Sequence, residues 1–121
     1  MTGTLAFLRE NERQALVEYV NRLLSDAGQR VRQVILFGSK ARGDAGADSD
    51  LDVLIIVDQC DRQLDRQVTL TASRISLEHD TLVNTHIITA GRWAEMQKWA
   101  ATLWREVQRD GVSLLPERVA P

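Results

Sequence analysis

Two short apolar runs flank a loop rich in glycine and aspartate, and this arrangement constrains the fold more than any other part of the chain. The first run, 34–37, stops at Gly38, and the second, 51–57, carries aspartates at its start. Nearly continuous apolar runs are typical of strands that helices cover. The sequence therefore predicts two buried strands, over 31–37 and 51–57, joined by a polar loop.

The aspartates at the start of the second run, Asp50 and Asp52, lie two positions apart. Side chains two apart on an extended strand point to the same face. Two carboxylates held side by side repel each other unless a cation lies between them. Mg²⁺ takes oxygen ligands, usually one or two carboxylates together with substrate phosphates. The pair therefore predicts a magnesium site, and the alternative is that both acids cap a loop and face solvent.

Gly38 and Ser39 form a corner at the end of the first predicted strand. Glycine lets a phosphate approach the backbone, and amides at the start of a helix favour an anion. Together with the aspartates, the corner predicts a site that holds a triphosphate next to a metal. Taken alone, the corner would be an ordinary strand-to-helix turn with Ser39 as N-cap. The Walker A phosphate-binding pattern is absent from the chain.

The order Gly-Ser, ten residues, Asp-x-Asp resembles the signature of the nucleotidyltransferases related to DNA polymerase beta, and in detail the minimal nucleotidyltransferases (MNT) of the HEPN/MNT type. The matching positions are Gly38, Ser39, Ala41, Arg42, Gly43, Asp44, Ser49, Asp50 and Asp52. Spacing, residue types and strand context agree, although the motif covers only the first half of the chain. The resemblance implies the nucleotidyltransferase fold, an α/β (α+β) domain with a small mixed sheet of three to four strands flanked by helices.

The resemblance also implies roles for the motif residues. Asp50 and Asp52 would bind Mg²⁺ and serve catalysis, and Gly38 and Ser39 would hold the β- and γ-phosphates of the substrate ATP. Arg42 matches a position of the motif and would contribute to the nucleotide site. Little covalent work falls to a protein in such a transfer, so positioning and charge neutralisation would carry the rate.

Two cations follow the corner, and the interpretation of each has an alternative. Lys40 occupies a variable position of the motif, and we expect a solvated side chain there. Arg42 either touches phosphate or forms an ion pair with Asp44 or another nearby acid, which would order the loop.

The chain departs from the family at a third acid, which many relatives carry on the strand after the next helix. The corresponding strand, 81–89, contains no acid. Asn84 and His86 share a face of it, and either could replace the acid, as could Asp80 just before the strand. A neutral His86 could act as a base near neutral pH, and the alternative is a hydrogen-bonded packing residue.

Helical periodicity and cap residues predict the remaining elements, with Asn11 as the start of the first helix. The predicted elements are helices over 11–28, 61–78 and 91–110, the strand over 81–89 and a short edge strand over 112–115. The loop between the first two strands is short for a parallel crossover, so we expect a mixed sheet.

Length and charge limit the remaining functions. The 121 residues suggest one domain, 1–121, and the net charge of −2 offers no basic field for a polynucleotide as main ligand. The single Cys60 fits a reducing cytoplasm, and no apolar run approaches the length of a membrane span.

The resemblance implies transfer of AMP from ATP to an acceptor hydroxyl, with a tyrosine of a HEPN-domain toxin as the expected acceptor and the chain as its antitoxin. Two alternatives stay open. One is a module of the same fold that has lost catalysis and neutralises a partner by contact. The other is a small-molecule nucleotidyltransferase of the aminoglycoside-modifying kind. The sequence leaves the assembly open between a homo-oligomer and a hetero-oligomer.

Overall fold

The structure, a computed structural model, describes residues 1–44, 46 and 49–115. Its elements in chain order are α1 (Glu10–Ala27), β1 (Val31–Phe37), α2 (Ser39–Arg42), β2 (Leu51–Val57), α3 (Arg62–His79), β3 (Val83–Thr89), α4 (Ala90–Lys98), α5 (Thr102–Asp110) and β4 (Val112–Ser113). Among these residues, no helix is both long enough and apolar enough to traverse a lipid bilayer.

The four strands form one mixed sheet in the order β3-β2-β1-β4. β1 runs antiparallel to both β2 and β4, whereas β2 and β3 are parallel and are connected through α3. This arrangement confirms the predicted mixed sheet of three to four strands flanked by helices. The predicted ranges of β1 and β2 are also confirmed, since both strands begin and end where the apolar runs indicate.

Alternate residues of the central strands supply two separate apolar clusters. Leu51, Val53 and Ile55 of β2 pack with α1 and α3 in the larger cluster. Leu54 and Ile56, which point to the other face, pack with residues of β1 and α5 in the smaller one. Both faces of β2 are therefore buried along most of its length, which explains why its sequence is an almost unbroken apolar run.

The first helix begins one residue earlier than predicted, and Asn11 does not cap it. The Glu12 side chain instead accepts a hydrogen bond from the backbone N–H of Arg9 over 2.8 Å. Asn11 lies inside the helix, where its side-chain amide donates to the carbonyl of His79 over 2.9 Å and ties α1 to the end of α3. The helix ends at Ala27 and Gly28 is its C-cap, as predicted.

The single last helix predicted over 91–110 is wrong, because the chain turns between α4 and α5. Ala100 has a left-handed φ of 49°, and the N–H of Ala101 donates to the carbonyl of Met96. A straight helix of this length would extend about 30 Å. The turn instead allows Trp93 of α4 and Leu103 of α5 to pack against the same small cluster.

Candidate active site

Asp52 lies at the open end of the sheet face that carries the smaller cluster. It is the second residue of the central strand β2, paired with Phe37 of β1 on one side and Asn84 of β3 on the other. Leu54, two residues further along the same face, is fully buried, whereas the side chain of Asp52 is 28% exposed. The strand register thus presents one carboxylate to solvent at the edge of an apolar surface.

Asn84 and His86 of β3 both reach this carboxylate, as their shared face predicts. Asn84 Nδ2 donates to Asp52 Oδ1 over 3.2 Å and lies 3.4 Å from His86 Nε2. His86 Nε2 itself lies 3.7 Å from Asp52 Oδ1, and its ring packs at 5.4 Å between centroids against Phe37. Asp80, the third candidate, is the C-cap of α3 with φ 50°, outside β3. The position directly opposite Asp52 is therefore filled by an amide.

Gly38 brings the corner at the end of β1 into direct contact with Asp52. The residue has a φ of 80°, and a Cβ added to it would lie 2.6 Å from Asp52 Oδ2. Both the backbone conformation and the close approach require glycine here. Gly38 is also the N-cap of α2, so Ser39 is the first residue of that helix rather than its cap. The corner and the carboxylate are thus adjacent, as a site shared by a triphosphate and a metal requires.

Asp50 comes directly before β2 and is partly exposed. The start of this strand is held by the N–H of Leu51, which donates to the carbonyl of Leu82 over 2.8 Å. The loop that leads to Asp50 includes residues 45, 47 and 48, which lie outside the described residues. Carboxylate oxygens at Asp50 and Asp52 have the donor chemistry that Mg²⁺ takes, and the one cationic group with a described contact to Asp52 is His86 when protonated. These side chains therefore fit the predicted metal.

A family model for the nucleotidyltransferase domain matches residues 15–96, well over half of the chain. The chain belongs to the nucleotidyltransferase domain family. The predicted resemblance is thereby confirmed, and the matched range contains the corner, both aspartates, all of β3 and most of α4.

Individual proteins agree with this assignment. A Methanocaldococcus jannaschii protein named "Putative protein adenylyltransferase MJ0604" is 50% identical over 48 residues, which cover 40% of this chain and 48% of that relative. The chain thus matches about half the length of this relative. A solved structure described as a "putative minimal nucleotidyltransferase" has a TM-score of 0.53 at 25% identity, with 90% of this chain and 99% of that one covered. A toxin–antitoxin crystallised with AMP-PNP has a TM-score of 0.52 at 18% identity, over 84% and 74% of the two chains.

In this nucleotidyltransferase domain, Arg42 is engaged by two acids. Its Nε lies 3.1 Å from Asp44 Oδ2, which confirms the predicted ion pair, and its Nη1 lies 3.4 Å from Asp110 Oδ2. The hydrogen bond to Asp44 raises the pKa of the guanidinium above its usual value. The hydrogen bond from Arg109 holds the pKa of the Asp110 carboxyl below its usual range, despite burial. Arg42 therefore ties α2 to the end of α5, and a contact with phosphate stays a prediction.

The expectation of a solvated Lys40 is wrong. The side chain is 6% exposed, and its Nζ lies 2.8 Å from Oε2 of Glu12, whose side chain is fully buried. A buried ammonium needs a charged partner, and Glu12 supplies it from the apolar face of α1. The sequence carries a signal for this pair, because Glu12 lies four residues before Leu16 and eight before Val20, in line with the apolar stripe. An acid in that stripe requires a cation, although its identity depends on tertiary contacts.

Another group of side chains with metal-ligand chemistry lies between α1 and α3. Glu18, Glu78 and His79 place one ligand atom each within 4.8 Å of one another. Arg22 forms ion pairs with both glutamates, and His79 contacts Glu18. Because Arg22 pairs with both carboxylates and His79 contacts Glu18, the group is explained as an ion-pair network that joins the two helices.

Proposed function

We propose that this domain is an Mg²⁺-dependent nucleotidyltransferase that transfers AMP from ATP to a hydroxyl group of a partner protein. The observation that carries the proposal is the contact between Gly38 and Asp52, since a Cβ at Gly38 would lie 2.6 Å from the carboxylate. A nucleotide bound at the corner would have its phosphates beside this acid. The family membership and the adenylyltransferase name of the relative from M. jannaschii support the same reaction.

In this proposal, each residue of the site has a separate role. The backbone at Gly38 and Ser39 binds the β- and γ-phosphates, and the absent side chain at Gly38 permits their approach. Asp50 and Asp52 hold the metal, which when bound neutralises charge on the triphosphate. Asn84 fixes one oxygen of Asp52 by its 3.2 Å hydrogen bond, so the carboxylate does not rotate freely.

His86 is the base in this proposal. Its Nε2 lies 3.7 Å from Asp52 Oδ1, on an exposed part of the face. The acceptor oxygen bonds to the α-phosphorus, the bond from that phosphorus to the bridging oxygen breaks, and pyrophosphate leaves with its electron pair. The proton of the acceptor hydroxyl passes to His86.

The acceptor that we propose is a tyrosine of a HEPN-domain toxin, which makes this chain the antitoxin of the pair. The structural similarity to a toxin–antitoxin crystallised with AMP-PNP supports a toxin partner and a nucleotide ligand. The open face around Asp52 also suits a protein side chain, because a hydroxyl on a partner surface can approach it without entering a closed cavity.

The proposal is tested with ATP labelled at the α-phosphate, Mg²⁺ and the candidate toxin. The parent protein should transfer label to the toxin, and Asp50→Asn and Asp52→Asn should each abolish the transfer. Asp26→Asn, an exposed acid near the end of α1, is the matched control and should leave transfer unchanged. Transfer that persists in both site variants would contradict the proposal.

A second candidate function is a binding module that neutralises a partner without catalysis. The amide of Asn84, opposite Asp52 in place of a third acid, favours this reading. Such a module would form a stable complex with the toxin, would transfer no label, and would bind equally well after Asp52→Asn.

A further inference from the structure

We propose that Glu12 and Lys40 form a buried ion pair that positions the phosphate-binding corner, so that both are positioning residues for the nucleotide. The inference rests on the proposed function, because it assigns what holds Gly38 and Ser39 in place beside Asp52. Neither the motif nor the family match assigns a role to Glu12, which lies outside residues 15–96.

The two oxygens of the Glu12 carboxylate have different neighbours: Oε1 accepts hydrogen bonds, and Oε2 has the ion pair with Lys40. Oε1 accepts from the backbone N–H of Arg9 over 2.8 Å, and Oε2 lies 2.8 Å from Lys40 Nζ. Burial raises the pKa of Glu12, but the hydrogen bonds from Lys40 and Arg9 outweigh it and hold the pKa below its usual value. The carboxylate therefore stays ionised inside the protein, and its contact with Lys40 links the first turn of α1 to α2.

The helix that carries the corner cannot hold its own position. α2 has only four residues, and helices this short have little intrinsic stability. It is held from outside by the contact of Lys40 with α1, by the hydrogen bond from the N–H of Thr4 to the carbonyl of Ala41 over 3.1 Å, and by the contact of Arg42 with Asp110. The Lys40 side chain is 6% exposed against 35% for Arg42, and Lys40 lies two residues after Gly38 and one after Ser39.

A movement of Lys40 would shift the corner relative to Asp52, and the two are already in close contact. The backbone at Gly38 already approaches the Asp52 carboxylate closely enough to exclude a Cβ. A change of well under 1 Å at α2 would alter the space available to a phosphate, and positional errors of this order are costly in transfer reactions.

This role differs from direct phosphate binding by Lys40. A lysine that touches phosphate must reach the nucleotide, whereas Nζ here is buried and points to α1. A positioning pair predicts that Glu12, whose buried carboxylate faces Lys40 and Arg9, matters for nucleotide binding as much as Lys40 does.

The test combines Lys40→Met, Glu12→Gln and the double variant. Affinity for Mg²⁺–AMP-PNP is measured by calorimetry, and amide hydrogen exchange is followed at Arg42 and Gly43, whose N–H groups bond to Gly38 and Ser39. We expect each single variant to weaken nucleotide binding about tenfold and to speed exchange at these amides. The double variant should bind within about threefold of the weaker single variant, because both changes break one pair. Glu95→Gln, which removes an exposed ion pair with Arg92 on α4, is the control and should change neither readout.

Two results would overturn the inference. If Lys40→Met weakens binding while Glu12→Gln does not, Lys40 binds phosphate directly. The other result is that all variants unfold at a lower temperature but keep the parental affinity for nucleotide and, after correction for global unfolding, the parental amide exchange rates at α2. In that case the pair stabilises the fold and does not position the corner. If the parent itself binds no nucleotide, the proposed function fails, and the exchange rates at α2 still decide whether the pair positions this helix.

Discussion

Asp52 and Asn84 are direct neighbours across the parallel strands β2 and β3, joined by a hydrogen bond of 3.2 Å from Asn84 Nδ2 to Asp52 Oδ1. Many relatives are expected to carry an acid near this position, so the amide changes the charge of the site. An amide stabilises the Asp52 carboxylate when no metal is bound, and a second carboxylate would repel it.

Asn84→Asp should therefore make stability depend more strongly on Mg²⁺ than it does in the parent. In EDTA we expect the variant to lose about 1 kcal/mol of unfolding free energy relative to the parent, because two carboxylates then face each other. Saturating Mg²⁺ should restore most of that loss. Urea unfolding with and without Mg²⁺ measures both the loss of unfolding free energy and its recovery. Asn21→Asp on the exposed side of α1 is the control, and an equal Mg²⁺ response in both variants would refute the prediction.

Gly38→Ala should abolish nucleotidyl transfer and destabilise the fold. A Cβ would lie 2.6 Å from Asp52 Oδ2 at a backbone φ of 80°, and strain of this kind costs about 1–3 kcal/mol. Gly91→Ala is the matched control, since a Cβ there meets nothing within 4 Å and the residue lies in α4. The control should be neutral or stabilise by up to about 1 kcal/mol. Thermal unfolding and label transfer measure both variants, and equal behaviour of the two would contradict the account of the corner.

His86→Phe should lower kcat for AMP transfer by roughly 10² to 10⁴, the usual contribution of a general base. The KM for ATP should change by less than about threefold, because the phenyl ring keeps the packing against Phe37, whose centroid is 5.4 Å away. His79→Gln, at the end of α3 beside Glu18, should leave kcat unchanged. Steady-state kinetics with the purified partner measure the two constants. Parental kcat in His86→Phe would show that the histidine only packs.

The buried pair should make stability fall with acid. The folded-state pKa of Glu12 lies below its ordinary value of 4.5, so its contribution is fully present above pH 4.5 and disappears as pH falls through the lower folded value. Glu12→Gln should cost about 3–5 kcal/mol at pH 7, since Lys40 is then left buried without its partner. The difference between parent and variant should shrink as pH is lowered below 4.5. Urea unfolding from pH 7 to pH 3 measures it, and a difference that stays constant would exclude this account.

The acidic pair and the glycine corner could be predicted from the sequence because each depends on residues that are close together in the chain. An apolar run of seven residues defines a buried strand, and Asp52 follows from its place at the start of that run. The role of Gly38 was predictable for a related reason, since a glycine at the end of a strand allows a backbone conformation that other residues rarely adopt. The bounds of α3 lie within one residue of the predicted range 61–78, and α5 ends at Asp110, where the last helix was predicted to end.

The partner of Lys40 could not be predicted from the sequence, because it lies 28 positions earlier along the chain on a different helix. The acid in the apolar stripe of α1 indicates that some cation must be buried, but only the packing of α1 against the sheet selects Lys40 over the other basic residues. The turn at Ala100 has the same origin, since the apolar stripe continues through it and gives no local signal of a break.

By itself, the sequence determined the family, the two central strands and the acids at the start of β2, because each depends on residues close together in the chain. The tertiary structure alone decided that Asn84 stands opposite Asp52 and that Glu12 holds Lys40. The register of β2 and β3 depends on how the connecting helix α3 packs on the sheet, and a buried charge finds its partner only when separate elements pack together.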